Sequence, residues 1–151
     1  MPKADSTFQA VGDSDARMHG ATAVLVSGFS VEEQRTLRSL MDTNGLSNIP
    51  AIYIVTAFLD LSLFELARLP AESRAGEPAE LPRCIVMSGF LEKELHALMD
   101  SYRASSLSRP HWASVTPTSE TWSVKQLLIE LLKESEALRQ AAESKAEKEK
   151  S

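Results

Sequence analysis

The residues able to do chemistry are few, and their spacing defines no recognised reaction centre. Cys84 is the only cysteine and sits in the apolar run Cys84-Ile85-Val86-Met87, which suits a small buried hydrophobe better than a reactive thiol. With one cysteine there is no internal disulfide and no multi-cysteine zinc site, and the chain suits a reducing compartment. His19, His96 and His111 each lack a second histidine, cysteine or carboxylate at metal-ligand spacing, so the expectation is no metal. A Gly-x-Ser-x-Gly elbow, a Walker loop and the spaced glycines of a dinucleotide fold are all missing, so no cofactor is expected and no catalytic residue is assigned. The sequence leans away from an enzyme without excluding one.

What remains are turns that could hold a ligand. Ser27-Gly28-Phe29-Ser30 and Ser88-Gly89-Phe90 each follow an apolar run, and Thr116-Pro117-Thr118-Ser119-Glu120-Thr121-Trp122-Ser123 follows a third, with Thr56 behind Val55. In parallel α/β sheets ligands bind beyond the carboxyl ends of strands, where helix N-termini present free N–H groups. Gly28, Phe29, Gly89, Phe90, Thr116 and Trp122 are therefore the ligand or partner candidates. Tight turns and N-caps explain most of the same residues without a ligand. Phe58 and Phe64 join the list for another reason: Phe58 to Leu66 is apolar on more than one face, as in a short helix buried between the halves or at a partner or self-association surface. Trp112 and Trp122, near loop ends, read as core packing more than as partner anchors.

Positioning these turns requires a repeated framework. Ala23-Val24-Leu25-Val26-Ser27-Gly28-Phe29 overlays Cys84-Ile85-Val86-Met87-Ser88-Gly89-Phe90; with two short gaps, Leu37 to Asp42 then overlays Leu95 to Asp100, Pro50 overlays Pro110, Val55-Thr56 overlays Val115-Thr116, and Ser62 overlays Ser123. The apolar runs ended by glycine predict strands covered on both faces. Ser30 with Glu33, Ser62 with Glu65 and Ser123 with Gln126 are capping-box patterns that open helices. Asn44-Gly45 supplies a helix stop. The expected architecture is α/β: two tandem strand-helix-strand-helix repeats sharing one mostly parallel four-stranded sheet with helices on both faces, or failing that a ferredoxin-like α+β arrangement.

The organisation that follows is a disordered N-terminal tail (1–21), a first repeat (22–69), a proline-rich surface linker (70–82), a second repeat (83–142) and a charged C-terminal tail (143–151) expected to fray, the repeats packing as one domain. At 151 residues, 43% hydrophobic and 25% charged, the chain has ordinary globular proportions. The formal net charge is −5 and the basic residues are dispersed among acidic ones, which disfavours nucleic acid; no apolar run is long enough for a membrane span. The N-terminal residues mix acids and bases and do not read as a signal peptide. These features predict a soluble intracellular protein acting through a protein partner or through self-association, a non-enzymatic binding or assembly module. The alternative is a small-molecule or nucleotide-binding regulatory domain using the strand-end loops.

Val115-Thr116-Pro117, then Trp122-Ser123 and the helix Leu127-Leu128-Ile129-Glu130-Leu131-Leu132, preceded by a strand ending Ser88-Gly89-Phe90, resemble an uncharacterised bacterial, plant and algal family, domain of unknown function 3783. The resemblance spans residues 84–138. Residues 23–66 look like a degenerate first copy with Leu61 in place of the tryptophan. The family implies a compact α/β module, brings no catalytic residues to carry over, and implies a plastid stroma location where the host is a plant or alga and a cytoplasmic one otherwise.

Overall fold

The computed structural model describes residues 16–150; the expected tail over residues 1–15 lies outside the described residues. Strand β1 (Ala23–Ser27) leads through Gly28 to helix α1 (Val31–Thr43), strand β2 (Ala51–Tyr53), a 3₁₀ turn (Thr56–Phe58) and the one-turn helix α2 (Leu63–Leu66). The second half repeats the order: β3 (Cys84–Ser88), α3 (Glu92–Ala104), β4 (His111–Ser114), a 3₁₀ turn (Ser119–Thr121) and α4 (Val124–Lys150). The predicted caps form. Ser30 Oγ accepts from Glu33 N at 3.2 Å while Glu33 Oε1 accepts from Ser30 N at 2.9 Å, and Ser62 with Glu65 repeats the pair at 3.1 and 3.0 Å. Ser123 Oγ likewise accepts from Gln126 N at 3.1 Å. Beyond Ala142 the helix continues to Lys150, with Arg139 paired to Glu136 and Glu143 one turn either side.

The four strands form one sheet in the order β2-β1-β3-β4, with β1 parallel to β2, β3 parallel to β4, and β1 antiparallel to β3. The expectation of a mostly parallel sheet is corrected here: each half builds its own parallel pair by a helical crossover, but the halves join head to tail. The ferredoxin-like alternative is also set aside, because helices cover both faces. Alternation along the strands sorts the core into two layers. Ala23, Leu25, Ile52, Ile54, Cys84 and Val86 face Leu63 and Leu66 of α2 and Val124, Leu127, Leu128 and Leu131 of α4. Val24, Val26, Tyr53, Ile85 and Met87 face Leu37 and Met41 of α1 and Leu98 and Tyr102 of α3.

The central ladder is centred on the pair Leu25↔Val86. A second antiparallel bridge joins Ser62 to Ser123, where Leu63 N donates to Trp122 O at 3.0 Å and Val124 N donates to Leu61 O at 2.9 Å. Gly28 and Gly89, at φ +76 and +63, turn the chain out of β1 and β3. A side chain at either would strike the other half: a Cβ on Gly28 would lie 2.5 Å from Leu81 O and 2.8 Å from Arg83 Cα, and one on Gly89 would lie 2.8 Å from Thr22 N. Each glycine therefore admits the segment that leads into the opposite central strand.

Candidate functional site

The head-to-tail junction divides the expected ligand edge in two. Gly28, Phe29 and Thr56 lie at the ends of β1 and β2, whereas Gly89, Phe90 and Thr116 lie at the ends of β3 and β4, on the opposite side of the sheet. Phe29 and Phe90 are buried in the layer under α1 and α3. Thr116 is exposed and its polar groups are turned inward on Ser119: Ser119 N donates to Thr116 Oγ1 at 3.0 Å and Thr116 N donates to Ser119 Oγ at 3.0 Å. Trp122 and Phe58 are half-buried against the α2 and α4 layer. Among the apolar residues of the Phe58–Leu66 stretch, Phe64 alone is well exposed, at 45%, with the Arg68 guanidinium 3.5 Å above its ring.

The strand-end turns are also closed by the chain. Arg83 leans over Phe29 at 3.9 Å, pairs with Glu33 at 3.0 Å, and donates to Gly28 O at 3.4 Å, Ser108 O at 3.0 Å and Tyr102 Oη at 3.3 Å. This guanidinium holds the Glu33 carboxyl below the usual range. At the opposite end Arg17 does the equivalent, donating to Gly89 O and to Glu94, each at 2.9 Å. Cys84 is fully buried, and burial pushes its thiol up to about 12. Among the described residues no three His, Cys, Asp or Glu side chains are grouped to hold a metal, and no helix is long and apolar enough to cross a membrane.

The surface that stays open lies at the edge of the sheet. His111 N donates to Arg83 O and Val115 N donates to Met87 O, so residues 111, 113 and 115 bond inward to β3, and the N–H and C=O groups of Trp112 and Ser114 point outward. Nothing among the described residues bonds those outward groups. Beside them runs a cleft of about 460 Å³ lined by Met99, Tyr102, Arg103, Leu107, Arg109 and Trp112. Its floor is rigid: Trp112 meets Tyr102 edge-on at 5.3 Å, Tyr102 meets Phe29 at 6.4 Å, and the Tyr102 hydroxyl donates to Ser108 O at 2.5 Å. Burial raises the Tyr102 phenol, with Arg83 opposing, so the hydroxyl stays a donor at neutral pH.

The other edge of the sheet is covered. Glu72 N donates to Ala51 O at 2.7 Å, Tyr53 N donates to Ser73 O at 3.0 Å, and Ala51 N donates to the Glu72 carboxylate at 3.2 Å. The segment between the halves thus straps β2, and Gly76 N ties it to Gln34 Oε1 at 2.7 Å. From sequence this segment reads as a linker only, because Glu72 and Ser73 carry no pattern that announces strand pairing. Arg83, Arg103 and Arg109 carry no local sequence signal either, because their significance depends on which strands are neighbours.

Fold and surface together define a three-layer α/β module with one strapped and one open sheet edge. Residues 83–138, from β3 into α4, match the model of the domain of unknown function DUF3783. The open edge and its cleft fall within the matched residues. No curated protein and no solved structure matches the chain.

Proposed function

We propose that this protein is a non-enzymatic protein-binding or assembly module whose partner docks as an added strand on β4. One observation carries the proposal: the outward backbone groups of Trp112 and Ser114 are free and lie beside an aromatic cleft, while the matching groups of Ala51 and Tyr53 are strapped. An unprotected edge is a template for another chain, and folded proteins normally blunt such edges with charge, proline or cover. His111-Trp112-Ala113-Ser114 has none of these within the strand. The competing proposal, a small-molecule or nucleotide-binding regulatory domain, draws less support, because it needs the strand-end turns that Arg83 and the segment before β1 fill.

We further read the two halves as diverged copies of one unit. Leu25 with Val86 and Ser62 with Ser123 are two of the pairs that the sequence overlay aligns, and both sit directly opposite each other, as a two-fold relation requires.

Ser114→Pro tests the binding proposal. Its N–H points away from the sheet, so proline removes an outward donor and blocks an incoming strand without breaking the ladder to β3. In capture from the host's soluble extract, wild type and a folded Phe64→Asp variant are expected to retain the same protein, and Ser114→Pro to lose it. Capture of the same protein by all three would overturn docking at β4. Loss with Phe64→Asp alone would move the surface to α2.

A further inference from the structure

The strap over β2 is the molecule's own example of how such an edge is filled. Two features hold it: its backbone bonds the outward groups of Ala51 and Tyr53, and its acid, Glu72, sits 3.4 Å from Arg38, a guanidinium anchored on Leu46 O and Ile49 O just before the strand begins. The strap thus combines main-chain pairing with a carboxylate on an arginine at the strand entrance. β4 presents the same vacancy in both respects. Trp112 and Ser114 offer the outward groups, and Arg103 and Arg109 flank the entrance to the strand. Arg109 has no ion pair or hydrogen bond among the described residues, and Arg103 has only Asp100, at 3.4 Å with both side chains largely in water. No acidic residue lines the cleft.

Resting on the strand-edge proposal above, we infer that the natural occupant of β4 is an extended acidic segment of a partner protein. Its backbone bonds Trp112 and Ser114, its apolar side chains enter the Tyr102–Trp112 cleft, and a carboxylate meets Arg103 and Arg109. A second copy of this chain is the poorer occupant, because pairing β4 with β4 across a two-fold axis brings two arginine pairs together along an edge strand that carries no acid.

Binding of two labelled peptides, acetyl-Val-Thr-Glu-Thr-Val-Thr-amide, whose valines and glutamate share one face of an extended strand, and the same peptide with lysine for glutamate, tests the inference by fluorescence anisotropy. The glutamate peptide is expected to bind about tenfold or more tighter than the lysine peptide, with the margin shrinking as salt rises. Arg103→Glu with Arg109→Glu reverses that preference, and Ser114→Pro abolishes binding of both. Amide shifts in the wild-type protein, expected to centre on Trp112 and Ser114, give the same answer if the proline variant does not fold. Equal affinity for the two peptides overturns the acidic chemistry while leaving strand addition intact. Binding unaffected by Ser114→Pro, with shifts elsewhere, overturns both. No binding of either peptide at about 1 mM overturns the acidic inference. Concentration-dependent dimerisation that Ser114→Pro abolishes would instead assign the edge to a second copy.

Discussion

Alanine at Gly28, Gly45 and Gly89 separates two costs that the structure keeps distinct. All three glycines have positive φ, at +76, +78 and +63, so each substitution carries the left-handed backbone penalty of about 1–2 kcal/mol, offset by about 0.4–1 kcal/mol from a stiffer unfolded chain. Gly45 has nothing within 4 Å of an added methyl, so its net cost should stay near 1 kcal/mol or below. At Gly28 the methyl would lie 2.5 Å from Leu81 O and 2.9 Å from Arg83 N, and at Gly89 2.9 Å from Ala21 C, all backbone atoms that cannot rotate aside. Overpacking of that kind adds about 1–3 kcal/mol, giving roughly 2–4 kcal/mol in total. Urea unfolding followed by the fluorescence of Trp112 and Trp122 should show Gly45→Ala slightly destabilised and the other two severely so, with unchanged m-values. Three equal losses would refute the crossing of each glycine by the opposite half. The junction between the halves would then have to be redrawn.

Other expectations follow from the same contacts. Glu33→Gln keeps the capping geometry but removes the charge that Arg83 holds; since the folded carboxyl lies below its ordinary 4.5, the stability it contributes is present at neutral pH and lost as pH falls through the folded value. The variant should be about 1 kcal/mol less stable than wild type at pH 7, converging with it in acid, as paired urea titrations would reveal. Cys84 should resist a maleimide at pH 8 in the native protein and react fully in urea, its thiol being fully buried and raised to about 12; prompt native labelling would contradict the strand's burial. Ending the chain after Lys133 removes residues 134–145, whose side chains are exposed, with the residues that follow them, and should change stability by less than about 0.5 kcal/mol; a larger loss would mean the distal part of α4 is seated on the domain.

The elements were legible in the sequence because local physics specifies them. Serine three residues before glutamate placed the starts of α1 and α2, and runs such as Ala23–Ser27, ended by a glycine, marked strands buried on both faces. How the halves meet was not legible. Whether β1 and β3 run parallel or antiparallel depends on the path of the segment between α2 and β3, and its prolines allow either direction. With that junction unknown, turns on opposite sides of the sheet looked like one edge. The cleft was hidden for a related reason: Tyr102, Arg109 and Trp112 belong to a helix, a loop and a strand, and only the position of β4 as an outer strand brings them to a surface. The apolar stretch Phe58–Leu66 divides residue by residue in a way its composition does not show, since Leu63 and Leu66 are core and, of its apolar residues, only Phe64 reaches solvent substantially.

The central claim, that one edge of the sheet is strapped and the other open, is tested most directly by residue-resolved hydrogen exchange in the free protein. The amide of Tyr53, bonded to Ser73 O, should be protected, while those of Trp112 and Ser114 should exchange far faster than the inward amides of Ala113 and Val115 on either side. Protection of Trp112 and Ser114 equal to that of Tyr53 would mean that β4 is already covered, and the account of it as a binding edge would fail.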